Sequence, residues 1–142
     1  MVVAIERIDA VTGEVATALG ALIPQLSGSA TVDVEFLRRV VASEATSVFA
    51  ARLDGRIVGL ASLVVYPLPT GLRGHVDDVV VDGAARGHSC ARALLLRVIA
   101  ESETRGVRSL ELTSRPSRRA AIALYESVGF VRRETGVYRY AG

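Results

Sequence analysis

The sequence contains no lysine and only one cysteine, and its charges nearly cancel. Its seventeen basic residues are all arginine and face fifteen acidic ones, for a net charge of +2 over 142 residues. So small a surplus does not favour nucleic acid or an anionic membrane as a partner. The single cysteine, Cys90, cannot form an internal disulfide, which favours a reducing compartment. An arginine-only set of basic residues favours a bacterial source with a GC-rich genome.

Long apolar segments and metal-ligand patterns are also missing. The longest apolar run, residues 57–66, is far shorter than the roughly 20 residues that span a membrane. Near the amino terminus, Glu6, Arg7 and Asp9 interrupt what would be the apolar region of a signal peptide. No paired Cys/His spacing is suited to zinc, so we expect no metal. These features predict a soluble, cytoplasmic protein.

Half of the residues are hydrophobic, which is enough to build a core, and at about 150 residues per domain the length predicts a single domain over residues 1–142. Apolar spacing and turn residues divide the chain into ten elements. The strongest local signal is Asp54-Gly55, which predicts a hairpin turn, whereas Pro24 is expected to end the first helix early. The predicted elements are strands at 2–10, 46–53, 56–66, 75–82, 107–113 and 130–139, and helices at 15–26, 36–41, 86–105 and 117–128.

Helices and strands therefore follow the order β-α-α-β-β-β-α-β-α-β, which predicts a mixed α/β domain. A loop is expected over residues 67–74, and Gly136 marks a bend in the last strand. In the strand at 75–82, His75, Asp77, Val79 and Val81 share one face if the strand is regular.

The junction after this strand combines a glycine-containing turn with the start of a long helix. Gly83, Arg86 and Gly87 lie there, and backbone N–H groups at a helix start attract phosphate. Two glycines satisfy neither the P-loop nor the dinucleotide-binding pattern. The junction alone is therefore compatible with a phosphate site and with an ordinary capped turn.

Two motifs about forty residues apart make the chain resemble the GNAT acetyltransferase superfamily. The family's helix entry reads Arg or Gln, two residues, Gly, one residue, then Gly or Ala; here Ser89 replaces the glycine. The second motif is intact, and the sequence HVDD resembles the His-Ile-Glu-Asp of glucosamine-phosphate acetyltransferases. The matching residues are Arg86-Gly87-His88-Ser89-Cys90-Ala91, Leu124-Tyr125-Glu126, Gly129-Phe130 and His75-Val76-Asp77-Asp78.

This resemblance implies a GNAT fold, with a mixed, mostly antiparallel sheet of six to seven strands flanked by four helices. It also implies that acetyl-CoA binds where the strand at 75–82 diverges from the strand at 107–113, with its pyrophosphate on the amides of the turn. We expect Ser89 to have helical dihedral angles because the position lies past the turn; a positive φ would instead weaken cofactor binding. The implied cofactor-binding residues are Val79, Val80, Val81, Arg86, Gly87, His88, Ser89, Cys90, Ala91, Arg118 and Ile122.

For catalysis, the resemblance implies direct attack of an amine on the thioester. His75 and Asp77 are candidate bases. Asp78 points to the other face if the strand is regular, whereas a bulge would change this, and its role is either functional or that of a hydrogen-bonded structural carboxylate. Tyr125 is the implied general acid, although its place on the apolar stripe of its helix also fits a core tyrosine. The amine pocket is expected from residues 24–31, 66–74 and the last hairpin with Tyr138. Cys90 is interpreted as a small buried hydrophobe and not as a nucleophile.

The sequence therefore predicts an N-acetyltransferase that acts on a primary amine of a small molecule, peptide or protein. The alternative is a GNAT-fold module that binds CoA or acyl-CoA with little or no turnover, which the departures at Ser89 and Ile122 favour. An unpaired sheet edge would favour a homodimer. We expect neither nucleic acid nor a membrane as a partner.

Overall fold

The computed structural model describes residues 2–87 and 89–142, and in this part of the chain five strands form one sheet with four helices on its two faces. A 3₁₀ turn at Gly83–Ala85 follows the fourth strand. The strands are β1 Val3–Arg7, β2 Thr46–Leu53, β3 Arg56–Leu68, β4 Gly71–Val81 and β5 Ser109–Glu111. The helices are α1 Gly13–Leu26, α2 Val34–Ala42, α3 Cys90–Thr104 and α4 Arg119–Ser127.

The sheet has the strand order β1-β2-β3-β4-β5, in which all neighbours are antiparallel except β4 and β5. The predicted mixed α/β class is confirmed. The predicted hairpin is confirmed too, since Asp54 and Gly55 both have the positive φ that a tight turn requires (50° and 84°). The sheet nevertheless has five strands among the described residues and not six or seven.

Three predicted boundaries are wrong. Pro24 lies inside α1 and does not end it. Most of the predicted loop at 67–74 is strand, because Leu68 pairs with Gly71 and the reversal needs only two residues between them. The predicted strand at 130–139 is not formed, and residues 131–142 are all exposed.

Alternate residues of the central strands pack into two apolar layers on opposite faces of the sheet. In β2, Phe49 and Ala51 lie under α3 and α4, whereas Val48 and Ala50 lie under α1. This alternation follows from the two-residue period of a strand. Within the described residues, no helix is long and apolar enough to cross a membrane. The helices thus cover both faces of β2 and β3 and leave β5 at an edge.

Candidate active site

A bulge in β4 sets which side chains face each side of the sheet. Leu60 of β3 pairs with Val80 and Ser62 pairs with Asp77, so β4 has one extra residue between these pairs. Asp78 lies in the bulge with φ 52°, a left-handed conformation in which aspartate is enriched. The alternation of side chains therefore reverses at this point of β4.

The reversal corrects the prediction that four residues of this strand share one face. Before the bulge, Val76 packs in the core under α3, so His75 and Asp77 lie on the opposite face. After the bulge, Val79 and Val81 pack against the core under α3. The two candidate bases and the two valines are consequently on opposite faces of the sheet.

The strands β4 and β5 pair over only three positions and then separate. The pairs are Arg73 with Ser109, Gly74 with Leu110, and His75 with Glu111. Beyond His75, β4 continues to Val81 with no pairing to β5 among the described residues. Backbone groups of β4 from Val79 to Val81 that point towards the β5 side are thus available to an extended ligand. The divergence lies between the two strands at which the sequence predicts it.

A cavity of about 190 Å³ lies at this divergence. Its wall combines the bulged part of β4, the chain after β5, the start of α4 and the end of α1. Tyr125 and Asp77, two of the predicted catalytic residues, both line it, whereas His75 does not. The lining residues are Leu26, Ser27, Val76, Asp77, Asp78, Val79, Leu112, Thr113, Arg118 and Tyr125.

Tyr125 belongs both to the core and to the cavity. Its side chain is 9% exposed and packs with the apolar layer under α3 and α4. The ring of Phe130 meets it edge to face, with the centroids 6.3 Å apart, a favourable geometry for an aromatic pair. The core therefore holds the ring in place while the residue borders the cavity.

His75 is connected to the cavity through Asp77. Its Nδ1 donates a hydrogen bond to Asp77 Oδ2 at 2.8 Å, which leaves Nε2 as the nitrogen that can accept a proton. Glu111 lies opposite His75 in the parallel pair and so shares its face. Sequence reasoning missed Glu111, because the register between strands that are distant in the chain leaves no local pattern.

Asp78 lies in the cavity wall beside Asp77. Partial desolvation raises the pKa of its carboxyl group, and the neighbouring charge of Asp77 raises it further. Two adjacent carboxylates give this part of the cavity a negative potential, which attracts a cationic amine.

Replacing Asp78 by Asn is expected to raise the temperature of thermal unfolding at pH 7 only slightly, because the carboxyl group is largely exposed and solvent screens its charge. A carboxyl group whose pKa is raised by folding stabilises the fold most below its unfolded pKa, near 3.8, and this contribution is lost as the pH rises through the folded pKa. The difference in unfolding temperature between the variant and the wild type should therefore vanish below about pH 3.8. Asparagine accepts the positive φ as readily as aspartate.

Thermal unfolding followed by circular dichroism between pH 3 and pH 8 tests this prediction. Glu103→Gln is the control, because this carboxylate lies exposed near the end of α3 and not in the cavity. An Asp78→Asn variant that unfolds earlier than the wild type at pH 7 would show that the charged carboxylate stabilises the bulge instead.

The turn between β4 and α3 differs from the prediction at Ser89. The long helix begins at Cys90 and not near Arg86, and Ser89 is its N-cap with φ 64°. The expectation that Ser89 has helical dihedral angles is therefore wrong. Gly87 also has a positive φ, 85°, and an added Cβ would meet nothing within 4 Å, so backbone conformation is what favours glycine there.

This turn leaves the start of α3 open to an anion. The side chain of Ser89 makes no capping hydrogen bond, so among the described residues no side chain caps the first amides of α3, including that of Ala91. Arg86 is exposed beside them. His88, a predicted contact of the cofactor, lies outside the described residues.

The remaining predicted residues occupy different surroundings. Cys90 is 2% exposed in the core, and its burial raises the pKa of the thiol, which suits a buried hydrophobe and not a nucleophile. Arg118 borders the cavity, and Ile122 is partly buried one turn further along α4. Val80 packs on the α1 side of the sheet, so only its backbone can face the divergence.

Only one of the segments predicted to form the amine pocket lines the cavity. From the predicted segment 24–31, Leu26 and Ser27 line it. The segment at 66–74 is mostly strand and contributes no lining residue, and Tyr138 is 95% exposed. Sequence reasoning missed Leu112 and Thr113, whose side chains carry no distinctive chemistry.

The family model and the two known proteins compared with this chain are all described as acetyltransferases. The model described as the acetyltransferase (GNAT) family matches residues 23–130. Glucosamine 6-phosphate N-acetyltransferase of Trypanosoma brucei brucei is 37% identical over 110 residues, 75% of this chain and 72% of that protein. The [ribosomal protein bS18]-alanine N-acetyltransferase of Escherichia coli K12 is 49% identical over 53 residues, 37% of this chain and 36% of that protein.

The fold is also found in solved structures. Glucosamine-6-phosphate N-acetyltransferase from Arabidopsis thaliana superimposes with a TM-score of 0.83 over the whole of both chains, at 16% identity.

Proposed function

Because the chain belongs to the GNAT acetyltransferase family, we propose that it is a one-domain, cytoplasmic bacterial enzyme that transfers the acetyl group of acetyl-CoA to a primary amine. The observation that carries the proposal is the joint lining of one cavity by Tyr125 and Asp77 at the divergence of β4 and β5. A proton donor and a proton acceptor then face the same small space.

The residues present suit acetyl-CoA. On the side that faces away from β3, the backbone of Val79 to Val81 pairs with no described strand, so it can pair with an extended amide chain such as pantetheine. The open amides at the start of α3, with Arg86 and Gly87, suit a pyrophosphate, and Arg118 adds a positive charge at the cavity. Bound acetyl-CoA supplies the thioester that the amine attacks.

Asp77 and His75 are proposed to accept the proton that the amine must lose. An amine near pKa 10 is protonated at neutral pH, and the carboxylates of Asp77 and Asp78 attract its cationic form into the cavity. Asp77 takes the proton directly or through a water molecule. The imidazole of His75 orients Asp77 by donating Nδ1–H to it at 2.8 Å, and its free Nε2 is the second proposed proton acceptor.

Tyr125 is proposed to complete the transfer. As the amine nitrogen bonds to the carbonyl carbon, the bond between that carbon and sulfur breaks, and sulfur leaves with the electron pair. The phenol of Tyr125 gives this sulfur a proton, so that neutral thiol is the product. The ring, held by the core and by Phe130, has little freedom to leave this position.

The acceptor is proposed to be a primary amine on a small molecule or at a peptide terminus, as the names of the two relatives suggest. The test incubates the purified protein and acetyl-CoA with glucosamine 6-phosphate, or with a peptide that begins with alanine, and detects the acetylated product by mass spectrometry. Product from either acceptor supports the proposal. Absence of product across a wider panel of amines, with acetyl-CoA bound, would contradict it.

One observation favours a second candidate, a module that binds CoA or acyl-CoA without efficient turnover. Ser89 has φ 64° in the turn proposed to hold the pyrophosphate, and a left-handed conformation costs a residue with a Cβ about 1 kcal/mol. Retention of Tyr125 beside Asp77 at the cavity favours the enzyme. Binding without turnover in the acceptor panel would favour the module.

A further inference from the structure

Two arginine side chains meet at the turn between β3 and β4 without an acidic partner. Arg73 donates from Nη2 to the hydroxyl of Thr70 at 2.7 Å and from Nη1 to the hydroxyl of Ser109 at 3.0 Å. Arg108 donates to the backbone carbonyl of Thr70. Among the described residues neither guanidinium group forms an ion pair, not even with Glu111, which follows Ser109 on β5. Two positive charges are therefore held close together and left unneutralised, which favours an anion.

The groups around Arg73 still have protons to donate. The hydroxyls of Thr70 and Ser109 each accept a hydrogen bond from Arg73, so the proton of each hydroxyl is available to another acceptor. The Nε–H of Arg73 is buried and has no hydrogen-bond partner in the described part of the chain, which costs free energy. A negative charge beside the guanidinium group would offset part of this cost.

This group of donors lies on the same face of the sheet as the proposed proton acceptors. Before the bulge, Leu72 and Val76 of β4 pack in the apolar layer under α3. Arg73, His75 and Asp77 alternate with them and so share the opposite face. Neither Arg73 nor His75 belongs to the apolar layer under α1. A ligand can therefore lie across this face from Asp77 to Arg73.

The distance along β4 indicates the size of such a ligand. Arg73 and Asp77 are four residues apart on the strand, which is about 13 Å at the rise of a strand. An extended peptide covers a similar distance with about four residues. A peptide whose amino terminus reaches Asp77 can thus place the side chain of about its fourth residue near Arg73.

We propose that Arg73 and Arg108, with the hydroxyls of Thr70 and Ser109, form an oxyanion site, and that its ligand is an acidic side chain of a peptide acceptor. Carboxylate oxygens accept from guanidinium groups in short, charge-assisted hydrogen bonds, and the two hydroxyl protons add further donors. The assignment of a peptide as the carrier rests on the proposed function, whereas the oxyanion site itself does not.

Nuclear magnetic resonance of isotope-labelled protein tests the oxyanion site, with inorganic phosphate as the probe. The amide resonances of residues 70–73 and 108–109 should shift and saturate in the millimolar range. Arg73→Gln and Arg108→Gln should each weaken this binding about tenfold, because each removes a charged donor. Arg56→Gln is the control, since Arg56 is exposed at the other end of β3.

The same spectra show whether each variant is folded, and they separate this site from the turn before α3, which is the proposed pyrophosphate site. Shifts confined to that turn would overturn the oxyanion site. Phosphate affinity that is unchanged in both folded variants would overturn it too.

A matched pair of peptides tests the proposed carrier. Both begin with alanine, and they differ only in aspartate or asparagine at the fourth residue. With saturating acetyl-CoA, kcat/KM should be about tenfold higher for the aspartate peptide in the wild type and equal for both peptides in Arg73→Gln. Equal kcat/KM in the wild type, or acetylation of neither peptide, overturns the peptide as carrier. Because the phosphate titration needs no turnover, failure of acetyl transfer is distinguishable from failure of the oxyanion site.

Discussion

Replacing Tyr125 by Phe is expected to lower kcat about 100-fold or more, which is the range for loss of a positioned general acid. The substitution removes the phenol proton but keeps the ring in the core, where it still packs edge to face against Phe130. Affinity for acetyl-CoA and the unfolding temperature should therefore change little. Such a variant separates the proposed catalytic role from the structural role that the same residue has.

Steady-state release of CoA thiol, measured with saturating acetyl-CoA and an active acceptor, gives kcat for wild type and variant. Tyr140→Phe is the matched control, because this tyrosine is 84% exposed and does not border the cavity. A Tyr125→Phe enzyme with wild-type kcat would show that the thiolate leaves without this proton donor. A higher KM with an unchanged kcat would instead assign Tyr125 to substrate binding.

Replacing Asp77 by Asn is expected to lower kcat/KM for the amine about 100-fold. The change removes the negative charge at the cavity and the group that accepts the proton, and it weakens the hydrogen bond that positions His75. His75→Gln should have a smaller effect, about tenfold, because this side chain does not line the cavity.

Initial rates at several acceptor concentrations give kcat/KM for both variants. They test whether Asp77→Asn loses more kcat/KM than His75→Gln. Asp9→Asn serves as the control, because this carboxylate lies exposed at the end of β1, outside the cavity lining. If Asp77→Asn retains full kcat/KM while Asp78→Asn loses it, the proton is taken by the carboxylate in the bulge.

Local chemistry explains which parts of the fold the sequence predicts. The hairpin at Asp54-Gly55 follows from two adjacent residues that tolerate a positive φ. The helix α1 begins where Thr12 caps it, with its side chain accepting from the amide of Val15 at 3.2 Å. Such signals involve only neighbours in the chain and are therefore visible in the sequence.

Features that depend on distant partners are not predictable in this way. The bulge at Asp78 arises from the register of β4 on β3, and without it the sequence places His75 and Val79 on one face. The short pairing of β5 with β4, which opens the cavity, is also a matter of register. Residues 130–139 have a strand pattern, but they form no strand, because a strand needs a pairing partner and the local pattern does not show whether the chain reaches one.

In the candidate site, too, local motifs predict some residues, whereas distant parts of the chain determine the others. Tyr125 and Asp77 are predicted from motifs and both line the cavity, while Leu112 and Thr113 reach it only through tertiary structure. Ser89 has a φ of 64°, which glycine adopts without strain, so the backbone here suits the glycine of the motif although the side chain differs.

The most direct test of the central claim is isothermal titration of acetyl-CoA into the wild-type protein and into Ser89→Gly. The account predicts micromolar binding by the wild type and binding of similar affinity by Ser89→Gly, because Ser89 already has the positive φ of the turn in the ligand-free protein and the backbone strain is therefore the same before and after binding. If neither protein binds acetyl-CoA, the divergence of β4 and β5 and the turn before α3 do not form a cofactor site, and the proposed acetyl transfer is wrong.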